Sequence, residues 1–133
     1  ISKEFRKNHI STNIMIDESS DIRCLLGTHM TSWQRANQIR TFFSKDSTAT
    51  YLGNTYGVPN VIMAHSYWTN TPVKYMREIR ENLRDTLKKY NLRYWQTELC
   101  IMSNDEEIGG GGYFDYSMRT GLYVARVIHH GLV

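Results

Sequence analysis

Cysteine is scarce in this chain. There are two in 133 residues, Cys24 and Cys100, far apart and in no CxxC pair. That argues against a disulfide-stapled scaffold and against a thiolate zinc site. The expectation is two buried free thiols, with a disulfide or metal role as the alternative. Long apolar runs are also missing, and none approaches the roughly 20 residues that would span a bilayer. Neither sign of charge dominates: 16 basic and 13 acidic residues leave a net +3. No basic cluster is interleaved with stacking aromatics, so nucleic acid is not an expected partner. The consecutive glycines 109–112 are followed by no lysine and make no GxGxxG, so they form no phosphate cradle. They read as a flexible loop at the rim of a site. His9, His29, His129 and His130 show no ligand spacing, so neither a metal ion nor an organic cofactor is expected. No signal-peptide pattern is visible and the first residue is not Met. Residues 1–9 look like the tail of a helix, and Ile128 to Val133 like a helix entering its next connection. The expectation is a piece of a longer protein.

What is present fits one globular unit. Apolar residues make up 41% of the chain and aromatics 12%. Ile10 to Ile16 alternates, with Ile10, Thr12, Ile14 and Ile16 on one side, which predicts a strand. An acidic loop, Asp17-Glu18-Ser19-Ser20-Asp21, follows; it can line a pocket or be a solvated loop with a helix cap. Thr31-Ser32 opens a predicted helix through Trp33, Ala36, Ile39, Arg40 and Phe43. Val61 to Trp68 reads as a second strand, with Val61, Met63, His65 and Tyr67 on one face. The next helix has Thr71 as N-cap and Pro72 at its first position. Its apolar stripe is Val73, Met76, Ile79, Leu83, Leu87 and Tyr90, and Asn91 ends it. Leu92 to Met102 supplies a third strand, buried on both faces like those of parallel sheets. Asp115 or Ser117 caps a last helix through Met118, Leu122, Ala125 and Ile128, in which Gly121 suggests close packing on a strand. The order strand, helix, strand, helix, strand, helix argues an α/β fold with parallel strands and right-handed crossovers.

The chemistry gathers at two strand ends. The C-terminal ends of parallel strands are where α/β folds place their sites. Glu98 closes the run Trp95-Gln96-Thr97-Glu98, and His65 and Tyr67 end the neighbouring strand. A carboxylate on a buried strand needs partners or a task. His65 and Tyr67 can orient Glu98 and keep it ionised, while Trp68 and Tyr113 can stack on sugar rings. Each also has a plainer reading: Glu98 bonded to a loop, His65 as a satisfied core histidine, Tyr67 as a packed phenol.

His65-Ser66-Tyr67-Trp68, followed after one amphipathic helix by Tyr94-Trp95-Gln96-Thr97-Glu98, resembles glycoside hydrolase family 30, within the clan of retaining (β/α)8 glycosidases. Members carry His-x-Tyr on the sixth barrel strand and Trp-x-Ser/Thr-Glu on the seventh. The resemblance implies Glu98 as nucleophile and His65 and Tyr67 as the pair that orients it. Glu18, Trp68 and Tyr113 would then contact a carbohydrate substrate. It further implies that residues 1–133 are a fragment of one catalytic TIM (β/α)8 domain, from the fifth strand (Ile10 to Ile16) to the seventh helix. The rest of that barrel would be its partner, and the parent would be secreted or periplasmic. Among relatives the chain looks most like the bacterial branch that includes endo-β-1,6-galactanases. One departure matters: the family's acid/base glutamate lies in an Asn-Glu-Pro-like motif ending the fourth strand, and no such motif occurs here. Asp17-Glu18 belongs to the fifth strand and is no substitute. The fragment is therefore expected to be inactive alone. With two open sheet edges, and with Val61, Met63, Tyr94 and Gln96 facing inward without packing partners, it is also expected to be marginally stable. Two other readings stand beside this one. In the first, a non-catalytic carbohydrate-binding α/β module uses Glu98, Trp68 and Tyr113 only to grip a sugar. The second is an unrelated flavodoxin-like domain, for which Asp17-Glu18-Ser19-Ser20 is too acidic to serve as a phosphate loop.

Overall fold

The computed structural model describes residues 1–27, 36–102, 105, 107–109 and 115–132. Its elements in order are α1 (Ser2–Lys7), α2 (Arg23–Leu26), α3 (Gln38–Phe43), β1 (Val61–Ala64), α4 (Val73–Tyr90), β2 (Arg93–Gln96) and α5 (Met118–Gly131). The two strands pair in parallel, with Val61 opposite Arg93 and Ala64 opposite Gln96. A parallel pair needs a crossover, and α4 provides it.

Helix α4 forms where the stripe predicted it. Met76, Ile79, Leu83 and Leu87 are buried, and the left-handed Asn91 (φ 54°) ends the helix. The start differs by one residue. Pro72 is the N-cap and no side chain caps the helix; Thr71 is instead engaged with the Asp105 carboxylate. Ile79, Leu83 and Leu87 pack with Ile62, Ala64, Ile22, Leu25, Ile39 and Phe43 in the main core. Met76, nearer the helix start, meets Tyr123 and Val127 of α5 in a second, smaller cluster. One helix therefore ties both cores together.

Several expectations are corrected. Ile10 to Ile16 forms no strand. Its backbone is held by the loop before β1: Ile14 N–H donates to Gly57 O at 2.6 Å and the Tyr56 hydroxyl to Ile10 O at 3.1 Å. The stretch reaches the sheet only beyond its apolar part, in a parallel bridge of Ser19 to Ala64. Alternation gives a strand its faces, but a ladder also needs a backbone alongside, and β1 offers one only at its end. Both paired strands are shorter than the apolar runs that contain them. Tyr94 and Gln96 do not share a face with Val61 and Met63. Residues opposite one another in a parallel pair point the same way, so Tyr94 and Gln96 go with Ile62 and Ala64 toward the helices. Arg93 and Trp95 take the other face and are exposed.

A short helix, α2, ending at the left-handed Gly27 (φ 77°), was not anticipated. Of the predicted helix from Thr31, residues 28–35 lie outside the described residues, and α3 begins after the left-handed Asn37 (φ 68°). Ser117 caps α5, its hydroxyl accepting from Thr120 N–H. The buried side of α5 is Tyr123 and Val127, whereas Met118, Leu122 and Ile128 are exposed. Gly121 does not pack closely on a strand: among the described residues a Cβ placed there would meet no atom within 4 Å. Cys24 is a buried free thiol as expected, but Cys100 is exposed. Of the four glycines, Gly109 adopts φ 74° and the other three lie outside the described residues.

Candidate active site

Beyond Ala64 and Gln96 the two strand ends stay laced together. Thr97 N–H donates to Ala64 O at 3.3 Å and Ser66 N–H to Glu98 O at 3.3 Å, while His65 N–H donates to Ser19 O at 2.6 Å. Three segments, 17–21, 64–68 and 96–98, are thereby fixed side by side. Asp17 enters the first of them in a left-handed conformation (φ 69°). Its Oδ1 accepts from Glu18 N–H at 2.9 Å and from the Ser19 hydroxyl at 2.9 Å, a local turn of the kind Asp favours. Burial pushes the Asp17 carboxyl above its ordinary range.

The side chains converge in two linked pairs. The Tyr67 hydroxyl donates a very short hydrogen bond to Glu98 Oε2. That bond, with burial, pushes the Tyr67 phenol up to about 12. The phenol therefore remains a donor at any pH at which proteins ordinarily work. His65 Nε2 lies 2.9 Å from Glu18 Oε1 and 3.6 Å from Glu98 Oε1. The first distance is a hydrogen bond and the second lies beyond hydrogen-bonding range. His65 thus sits between two carboxylates and is bonded to Glu18. The Thr97 hydroxyl donates to the same Glu18 oxygen. Thr97 was not anticipated, although it stands next to Glu98 in sequence and a hydroxyl there is the signal that finds it.

Exposure divides the roles. The His65 side chain is 14% exposed, against 46% for Glu18 and 56% for Glu98. The imidazole is packed in place and the carboxylates face solvent, where a ligand can reach them. The His65 and Tyr67 rings are tilted at 4.9 Å between centroids. Tyr67 in turn meets Trp68 edge-on at 5.6 Å, so each ring restricts its neighbour. Trp68 takes a left-handed backbone (φ 57°) and is 42% exposed. Tyr113 lies outside the described residues. The structure therefore brings Glu18, His65, Tyr67, Trp68 and Glu98 together at one end of the sheet.

The Glu98 carboxylate thus stands open at the C-terminal ends of two parallel strands of an α/β protein, with one oxygen held by the Tyr67 phenol. The profile of O-Glycosyl hydrolase family 30 matches residues 1–133, and the chain belongs to that family. In three dimensions it is similar to a conserved exported protein from Bacteroides fragilis, known from its crystal structure, with a TM-score of 0.82 and 30% sequence identity. The alignment covers 99% of this chain and 27% of that protein, so the chain spans little more than a quarter of its relative. No curated protein matches the chain.

Proposed function

We propose that this chain is the nucleophile-bearing part of a retaining glycosidase that cleaves β-linked oligo- or polysaccharide. The observation that carries the reading is the Glu98 carboxylate, 56% exposed and held through Oε2 by the Tyr67 hydroxyl. A retaining enzyme needs a carboxylate that stays ionised and points one oxygen at the anomeric carbon. With Oε2 engaged by the phenol, Oε1 is the oxygen left to attack. The C–O bond to the leaving group breaks as a second carboxyl group, about 5 Å away, protonates the departing oxygen. The same residue then takes a proton from water. That water attacks the anomeric carbon and releases Glu98 with overall retention. His65, hydrogen-bonded to Glu18 and 3.6 Å from Glu98, is a positioning residue. Glu18 and Trp68 fit contacts to sugar hydroxyls and to the flat side of a ring, and Tyr113 is assigned the same role on sequence alone.

The acid/base carboxyl belongs to a part of the parent barrel outside these residues, since no Asn-Glu-Pro-like motif occurs here. Residues 1–133 are then a fragment of one (β/α)8 catalytic domain, with two of its βα units (β1–α4 and β2–α5) formed here, inactive alone, with the rest of that barrel as partner. The family membership and the coverage of 27% of a longer relative support this reading. That relative is described as exported, which favours a secreted or periplasmic parent. The endo-β-1,6-galactanase-like branch is the substrate class to try first.

Covalent labelling tests the assignment. In the full-length protein a mechanism-based fluorosugar should label Glu98, and Glu98→Gln should abolish both labelling and turnover. Undiminished turnover in that variant refutes the nucleophile, whereas sugar binding by the unaltered full-length protein with neither labelling nor turnover makes a carbohydrate-binding module the better account.

A further inference from the structure

We propose a second ligand site, remote from the carboxylates, in which Arg80 binds a small oxyanion in the groove between α4 and α5. Arg80 is only 6% exposed. Its Nη1 donates to Thr69 O at 2.8 Å and to Met76 O at 3.1 Å, which fixes the plane of the guanidinium. Nε and Nη2 are buried and find no partner among the described residues. A buried charged donor without an acceptor is costly, and a guanidinium edge with two free N–H groups matches the two oxygens of a carboxylate, phosphate or sulfate.

Space and charge agree with that ligand. Arg80 lines a cavity of about 250 Å³ whose floor is apolar (Ile22, Leu83, Leu87, Leu92 and Leu132) and whose polar lining is Arg84, Lys88, Tyr94 and Gln96. It also lines a second one of about 220 Å³ with Arg77, Arg84, His129 and His130 and one carboxylate, Glu81. Arg77, Arg80, Arg84 and Lys88 follow one another at helical spacing on α4, and the two histidines face them from α5. The opposing charges are few and mostly occupied: Glu81 is 3.9 Å from Arg77 and Asp85 is 2.8 Å from Arg84. A groove with this excess of one sign concentrates anions. Arg80 Nε and Nη2 supply the directed bonds, and Arg84 and Lys88 at the mouth supply attraction. The shared ligand chemistry is a phosphate, a sulfate or the carboxylate of an acidic sugar.

Titration of the full-length protein with inorganic phosphate, inorganic sulfate and glucuronate, followed by the Arg80 Nε–Hε resonance, tests the site. At least one anion should shift that resonance saturably, and the strongest of the three identifies the source. Arg80→Met should abolish saturable binding. Because Arg80 also anchors Thr69 O, the exposed variants Arg84→Gln and Lys88→Gln provide a test that leaves the fold intact, each weakening binding about two- to five-fold. An Arg80 resonance that none of the three anions moves, or anion binding unchanged in both surface variants, overturns the proposal.

Discussion

Helices α4 and α5 lie against one another, yet they bury themselves differently. Helix α4 places Met76, Ile79, Leu83 and Leu87 inside and turns Lys74, Arg77, Glu78, Glu81, Arg84, Asp85 and Lys88 to solvent. Helix α5 buries Tyr123 and Val127 and leaves Met118 78% exposed, Leu122 64% and Ile128 47%. The first has one apolar face and only one way to dock. The second has apolar residues on both faces, and a polar anchor decides between them. The Tyr123 hydroxyl donates to Asp105 Oδ2 at 2.8 Å and accepts from Asn70 Nδ2 at 2.6 Å. A tyrosine buries a large ring only where its hydroxyl finds partners. The lesson is that apolar area orients a helix when it lies on one side, and hydrogen bonding orients it when it does not.

Substitutions can break or sharpen that contrast. The largest effect is expected from Leu83→Ala in α4, a truncation at the centre of the main core. It should lower unfolding free energy by about 2–5 kcal/mol in urea titrations; a loss below 1 kcal/mol would mean that α4 is not the principal support. Tyr123→Phe keeps the ring and removes the anchor, so a loss of about 1–2 kcal/mol is expected by the same measurement. Burial pushes the Asp105 carboxyl up, but bonds from Thr71, the Glu107 backbone and Tyr123 more than offset this and hold it below its ordinary range. A depressed carboxyl stabilises the fold above its unfolded pKa of about 3.9, and that stability is lost as pH falls through the folded value. Tyr123→Phe should therefore shrink the stability difference between pH 7 and pH 3, as read from thermal melts at both. Gly121→Ala should act in the opposite direction, stabilising by about 0.5–1 kcal/mol, because the position is helical and a Cβ there meets nothing among the described residues. The smallest effect belongs to Leu122→Ser on the exposed face, within about 0.5 kcal/mol in the 133-residue chain.

The site shows a similar contrast between its two strand ends. Glu98, His65 and Tyr67 stand in short motifs on consecutive strands, and parallel pairing brings consecutive strand ends together whatever the finer packing. Their neighbourhood was therefore legible. The partner of His65 was not. Glu18 comes from a loop 47 residues earlier, and the Asp17 turn and the Ser19 bridge bring it there. Thr97 was hidden for a simpler reason, since a threonine in a strand is usually read as a β-former.

Sequence alone determined the α4 stripe, its Asn91 terminus, the parallel strands on either side of it and the nearness of Tyr67 to Glu98. All of these follow from local periodicity and from the rule that one crossover joins adjacent parallel strands. Only the tertiary structure decided that Ile10 to Ile16 runs beside a loop rather than a strand. It also decided that α5 turns Tyr123 inward, that His65 bonds Glu18 more closely than Glu98, and that Arg80 is buried with Nε and Nη2 unpartnered among the described residues. Each of those outcomes depends on which distant backbone or polar atom lies within hydrogen-bonding reach, and no pattern along the chain encodes that distance.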